Sequence, residues 1–184
     1  AIPKPGTIYG ACKVACEQWL RIFENGSGLS WTVLRPFATY GSGHRPSLDQ
    51  GIVNILLTQL LNGDRITVKG SLMRRRDLTY VEDMANAIVQ ILFCKAAIGR
   101  TFNIGSGVAV TINEILKQLC NELGKPISDI EVIEEPGTVG DPFSNVADTT
   151  QITKLLNYKP KFNLEKGLKE LIAQRLITKK SKAM

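Results

Sequence analysis

The stretch RRDLTYVEDMANAI, residues 75–88, changes its periodicity part-way along. Leu78–Tyr80 is a short strand candidate that follows the polar run GSLMRRRD. From Val81 to Cys94, Met84, Ala87, Ile88, Ile91 and Leu92 recur at helical spacing. A strand feeding directly into a helix is the unit of an α/β chain, and the same alternation extends in both directions. Upstream, Ile66–Val68 is a further strand candidate, and Gly51–Leu61 is apolar on nearly every side, which predicts a buried helix. Trp31–Leu34 predicts a buried strand, and Tyr9–Glu24 a helix ended by Gly26–Gly28. Residues 36–50, with Pro, Gly, Ser and His, predict a long loop. Downstream, Thr101–Ile104 predicts a strand. Thr111 and Glu114 form a capping-box pattern that opens a helix, and Gly124 and Pro126 stop it. Ile130–Ile133 predicts another strand, and two helices come after it, near 148–156 and 164–177. The order predicts an α/β fold with a largely parallel sheet.

The 184 residues suit one domain, or one with a small extension. Hydrophobic residues make up 43% and charged residues 22%, an ordinary globular balance. No apolar run approaches membrane-spanning length, and no signal peptide is visible at the start, so the expected compartment is the cytoplasm. The net charge of +6, from 23 Lys and Arg against 17 Asp and Glu, is scattered apart from Arg74–Arg76 and the tail lysines Lys179, Lys180 and Lys182. A nucleic-acid partner would need a basic stripe with base-reading or aromatic side chains, so none is expected, nor a membrane. Cys12, Cys16, Cys94 and Cys120 form no C-x-x-C and no zinc spacing, so no metal is expected. Cys12 and Cys16 are expected to be small buried helix residues rather than a disulfide. His44, the single histidine, sits in the loop beside Arg45 and Pro46 and is expected to be exposed rather than catalytic.

Tyr9 and Lys13 lie four apart on the first helix and so share a face. A tyrosine phenol is a poor base at neutral pH, and a neighbouring ammonium favours its phenolate. Such a pair can move a proton to or from a substrate hydroxyl, and the lysine can also hold a cofactor ribose. Alone, the spacing equally describes two surface side chains on one helix face.

The segments C-terminal to the pair narrow its meaning. The chain carries PKPGTIYGACKVACE at 3–17, LRPFATYGS at 34–42, KGSLMRRRDLTYVEDMANAI at 69–88, FNIGSG at 102–107 and VGDPFSNVADTTQITKLLNYKP at 139–160. In this order they resemble the C-terminal half of extended short-chain dehydrogenases/reductases, the NAD-dependent epimerase/dehydratase family of nucleotide-sugar enzymes. The resemblance covers nearly the whole chain. It implies the C-terminal portion of a Rossmann-like parallel sheet plus a smaller α/β substrate-binding region, with the N-terminal dinucleotide-binding half absent. Residues 1–50 would end the Rossmann-like domain with the Tyr–Lys helix. Residues 51–184 would be mainly substrate-binding, with returning Rossmann elements near 78–107.

The resemblance also implies roles. Tyr9 is the acid/base, and Lys13 assists it and binds the nicotinamide ribose. Pro36 and Phe37 wall the nicotinamide end. Arg76 holds the nucleotide-sugar diphosphate and Asp141 the nucleotide ribose. The segments at 49–53 and 66–70, with Gln50, Gly51 and Lys69, enclose the base. Read alone, Arg76 beside Asp77 is a surface pair, Asp141 before Pro142 starts a turn, and Asp83 caps or orients its helix. Two departures stand out. Ala38 replaces the family's asparagine, which removes a polar contact to substrate, and Thr138 stands where several epimerases have an arginine. Arg74 or Arg75 is the candidate substitute.

The implied cofactor is NAD, with NADP open, and the implied partners are a nucleotide sugar and, in the parent protein, a second copy in a homodimer. The implied activity is transient oxidation at the sugar, as in a UDP-glucose 4-epimerase. A nucleotide-sugar 4,6-dehydratase and a non-catalytic module of the same fold are the alternatives. A dinucleotide site needs a Gly-rich turn between strand and helix. The nearest candidate, IGSGVAV at 104–110, has Val110 at the third glycine position and is rejected. The fragment alone is therefore expected to be inactive.

Overall fold

The computed structural model describes residues 3–181, with side chains to 178. Lys182 lies outside the described residues, and of Lys179 and Lys180 only the backbone is described. Eight strands and six α-helices alternate along it. In chain order they are α1 (Ile8–Ser27), β1 (Thr32–Pro36), β2 (Ala38–Tyr40), α2 (Ile52–Asn62), β3 (Arg65–Lys69), β4 (Arg75–Tyr80) and α3 (Val81–Leu92). Then come β5 (Arg100–Ile104), β6 (Ala109–Thr111), α4 (Ile112–Glu122), β7 (Glu131–Glu135), β8 (Ser144–Asn145), α5 (Thr150–Leu156) and α6 (Leu164–Ser181). The alternating pattern around 75–88 predicted the β4–α3 unit, though the strand begins earlier, at Arg75, within the charged run.

Pairing is mostly parallel. β1 runs beside β5 with Leu34 opposite Phe102, and β3 beside β7 with Ile66 opposite Val132. β2 and β8 both pair parallel to β4. The exception is β6, antiparallel to β4 with Arg76 opposite Val110. Residues 36–50 are not loop throughout, because Ala38–Tyr40 forms β2. Pro36 and Gly41 bracket a run too short for periodicity to register, and pairing to β4 makes it a strand.

Two apolar clusters hold these elements. One gathers Leu56, Leu57 and Leu60 of α2, Ile115, Leu116 and Leu119 of α4, and Leu168 and Leu171 of α6 around Tyr40 and Tyr80. α2, expected to be buried, is so through Val53, Asn54, Leu56, Leu57 and Leu60, while Ile52, Ile55 and Leu61 are half-buried. The second cluster gathers Met84, Ala87 and Ile91 of α3 with Phe102, Ile104 and Ile152. Each fully buried leucine or isoleucine contributes about 1.5–3 kcal/mol.

Buried carboxylates tie the loops down. Asp77, 1% exposed, accepts from the Ser106 amide and hydroxyl, both at 2.6 Å, from Gly107 N at 2.9 Å and from Ala147 N at 3.0 Å. This overturns the reading of Arg76 and Asp77 as a surface pair: alternation along β4 turns Asp77 inward and Arg76 outward. It also explains why GSG at 105–107 is no phosphate cradle, since its amides already serve Asp77. Asp83 makes no cap bond to its own helix. It accepts instead from Lys161 N and Phe162 N at 2.9–3.0 Å, orienting the approach to α6 against α3.

Helix α1 departs from expectation. None of its residues is buried, so Cys12 and Cys16, expected inside, are exposed free thiols. No layer of described chain covers that side. α1 is moored by Arg35, whose guanidinium makes a bidentate pair with Glu17 at 2.8 and 2.6 Å, and by Trp31 Nε1 donating to Glu24 at 2.8 Å.

Candidate functional site

The site is built from the N-terminus of α1, the N-terminal end of β4 and the 137–141 turn. Thr7 sets the start of α1, its hydroxyl accepting from Gly10 N at 3.1 Å. One turn on, Lys13 Nζ lies 5.2 Å from the centre of the Tyr9 ring, so the two side chains share a face as the spacing predicted. Tyr9 is 73% exposed, which leaves the phenol open to a reactant.

Arg76 projects outward from β4. Its Nη2 donates to both oxygens of Asp141 at 2.8 and 2.7 Å, and its Nη1 donates to the Pro142 carbonyl at 3.0 Å. Arg74, at the foot of the strand, donates to Asp141 as well and to the carbonyl of Lys69. Asp141 ends a turn rather than starting one, its amide donating to Thr138 O at 3.1 Å. Turn formation and ion pairing are both its work.

A cleft of about 700 Å³ opens here, lined by Gly51, Lys69, Arg74, Arg76, Thr138 and Asp141 among others. It brings together four of the sequence-predicted substrate residues: Gly51, Lys69, Arg76 and Asp141. Gln50 is exposed in the adjoining loop and is not on the wall, although its carbonyl accepts from Asn54 at 3.4 Å. Ala38 begins β2, half-buried, also off the wall. Pro36 ends β1, exposed, and Phe37 comes next, its amide donating to Ile104 O at 2.9 Å.

The cleft and the Tyr9 helix are neighbours through the backbone. A Cβ at Gly140 would lie 2.7 Å from Gly6 O and 2.8 Å from the Thr7 methyl, so the Asp141 turn presses on the residues that lead into α1. Gly140 also has φ +82°, open to glycine at little cost. This contact joins an open phenol and ammonium to a guanidinium–carboxylate pair.

His44, expected exposed, is half-buried, with its ring against Gly51. Among the described residues no group of His, Cys, Asp or Glu could hold a metal ion, and no helix is long and apolar enough to cross a membrane.

Residues 1–105 match the model of the family described as NAD dependent epimerase/dehydratase. The chain belongs to that family. A UDP-glucose 4-epimerase of Mycolicibacterium smegmatis is 28% identical over 168 residues, covering 91% of this chain and 52% of that protein. The chain thus spans about half the length of the curated relatives it matches. Among solved structures, the UDP-glucose 4-epimerase of Thermotoga maritima with UDP-glucose superposes at a TM-score of 0.88. It is 32% identical and covers 96% of this chain and 56% of that one. The UDP-glucuronic acid 4-epimerase of Bacillus cereus, in complex with UDP-glucuronic acid and NAD, gives 0.88 at 27% identity, with 96% and 55% coverage. Like this family member, those structures are α/β.

The residues present fit one end of the family's cofactor. Tyr9 and Lys13 stand exposed on one helix face, a phenol and an ammonium of the kind that hold a ribose. The GSG amides at 105–107 do not fit the pyrophosphate, because Asp77 occupies them.

Proposed function

We propose that this chain carries the substrate-side part of an NAD-dependent nucleotide-sugar 4-epimerase. One observation carries the reading: the Arg76–Asp141 pair lines a cleft whose turn packs on the lead-in to the Tyr9–Lys13 helix. A guanidinium in a fixed fork recognises a diphosphate, and a carboxylate accepts from ribose hydroxyls. Lys69 and Gly51, on the same wall, bound the space for the base. Tyr9 takes the proton of the sugar 4-hydroxyl and returns it. Lys13 offsets the charge that develops on the phenol oxygen and holds the nicotinamide ribose. Pro36 and Phe37, at the β1 terminus, wall the nicotinamide end. Bound NAD supplies the hydride acceptor and donor at the sugar carbon. Holding the reactants in register supplies much of the rate.

In the division this implies, residues 1–50 close the Rossmann-like domain, and 51–184 form mainly the substrate-binding region, with returning Rossmann elements near 78–107. The exposed Trp19, Ile22 and Phe23 on α1 support a homodimer of the parent protein.

The test uses the full-length protein with UDP-glucose. Wild type is expected to give a product of unchanged mass with inverted C4. Tyr9→Phe is expected to lower turnover by about 10²–10⁴-fold with substrate affinity retained. A product lighter by one water would replace the epimerase with a 4,6-dehydratase. Unchanged turnover in Tyr9→Phe would remove the assignment of Tyr9.

A further inference from the structure

A second cavity, of about 420 Å³, lies against a different face of α2 from the cleft. Its walls come from the loop after β2, the C-terminal half of α2, and α6. Leu61, Leu171 and Pro46 make most of it apolar, and Thr58, His44 and Arg175 supply the polar groups. Its size falls in the usual range for small-molecule sites.

Arg175 decides what this cavity suits. Its Nη2 donates to two uncharged oxygens, Asn54 Oδ1 at 2.6 Å and the His44 carbonyl at 3.0 Å. Asn54, itself 2% exposed, is held by donating to Arg45 O at 2.7 Å, so the guanidinium rests on a fixed support. Among the described residues no carboxylate pairs with Arg175, and its Nε and Nη1 hydrogens have no acceptor. Loss of water lowers its pKa with no opposing acid. A positioned, partly desolvated cation without a counter-charge is costly, and an anion in the cavity removes that cost.

We infer that this cavity is a binding site for a small organic anion, a carboxylate or phosphate monoester on a compact apolar body, gripped by Arg175. The site is distinct from the nucleotide-sugar cleft and does not depend on the function proposed for it. The loop Ser42–Gly51 borders both: Ser42, His44 and Pro46 face this cavity, and Asp49 and Gly51 face the cleft.

The test titrates the full-length protein with phenyl phosphate and with benzoate, using benzyl alcohol as the neutral control, and reads binding by NMR shift perturbation. At least one anion is expected to bind in the millimolar range or tighter, and the tighter one names the charged group of the ligand. Arg175→Met is expected to weaken it by about tenfold or more. Arg175→Lys, which keeps the charge, is expected to retain most of the affinity, and Arg76→Ala to leave it unchanged. The inference is overturned if neither anion binds wild type, if benzyl alcohol binds as well, if Arg175→Met binds like wild type, or if Arg76→Ala abolishes binding. An Arg175→Met protein that has lost its cooperative melt would be set aside in favour of Arg175→Gln, which is expected to weaken binding by about tenfold or more and whose indifference would equally overturn it.

Discussion

Asp77 and Arg76 are adjacent in the chain and opposite in role. Arg76 reaches into the cleft, where its guanidinium meets Asp141. Asp77 points inward and collects four donors from two separate loops. Replacing Asp77 by Ala would strand those donors in a buried place, at a cost of about 3 kcal/mol or more. Urea unfolding is expected to show a lower midpoint of that size. The same denaturation on Arg76→Ala is expected to show a smaller change, about 1 kcal/mol, since Asp141, about a third exposed, keeps Arg74 as its partner. That Tyr9 and Lys13 share a face was legible from spacing, and that Arg76 and Asp141 meet in one cleft from motif order. The inward turn of Asp77 was not, because a carboxylate after three arginines reads as a surface partner until the strand register assigns its face. Arg74 joining Arg76 on Asp141 was open in the sequence for the same reason, since either Arg74 or Arg75 stood within reach.

At the level of elements, α4 shows the most complete agreement. Thr111 accepts from the Glu114 amide at 3.1 Å, and the Glu114 carboxylate accepts from the Thr111 amide at 2.6 Å and its hydroxyl at 2.7 Å. The Thr111 amide, then its hydroxyl, holds Glu114 below the usual carboxylate range. Since its folded value is depressed, the stabilisation is present above the unfolded value and lost as pH falls through the folded one. Thr111→Ala is expected to cost about 1 kcal/mol at pH 7. The difference from wild type should shrink as the pH drops below about 4, read by melting temperature across an acid series. α6 carries a second test. Gly167 stands at the end of the first turn of the helix, where alanine normally gains up to about 1 kcal/mol. Here a Cβ would run into the Tyr40 hydroxyl and lie 3.0 Å from the Tyr80 ring. Gly167→Ala is therefore expected to destabilise by about 1–3 kcal/mol, the reverse of its helix propensity, measured by chemical unfolding. Helix spacing located α6. The close approach of Tyr40 from β2, 127 residues earlier in the chain, exists only once the sheet has packed on the helix.

For the molecule as a whole, apolar surface is unevenly placed. Trp19, Ile22 and Phe23 of α1 are more than half exposed, and so are Leu92 and Phe93 at the end of α3. Two compact clusters coexist with a helix that no described residue buries. The expectation of an inactive fragment draws support from a different feature: in the turn nearest to a dinucleotide fingerprint, 105–107, the Ser106 and Gly107 amides are bound to Asp77. The 184-residue chain by itself is expected to show no micromolar NAD affinity in a calorimetric titration, whereas the full-length protein is expected to bind it. Binding of NAD by the isolated chain at that level would mean the cofactor has a cradle elsewhere on it.

By itself the sequence determined the alternating α/β order, the family, and the residue types of the candidate site. Those features reside in local periodicity and in short motifs whose order survives without coordinates. Tertiary structure decided which side each residue faces. It turned 38–40 into a strand, left Cys12 and Cys16 on the surface, drew Asp77 inward and Arg74 onto Asp141, and set Arg175 on Asn54. Each outcome depends on a partner far along the chain, and burial and hydrogen-bond satisfaction are properties of the packed molecule, not of any one segment.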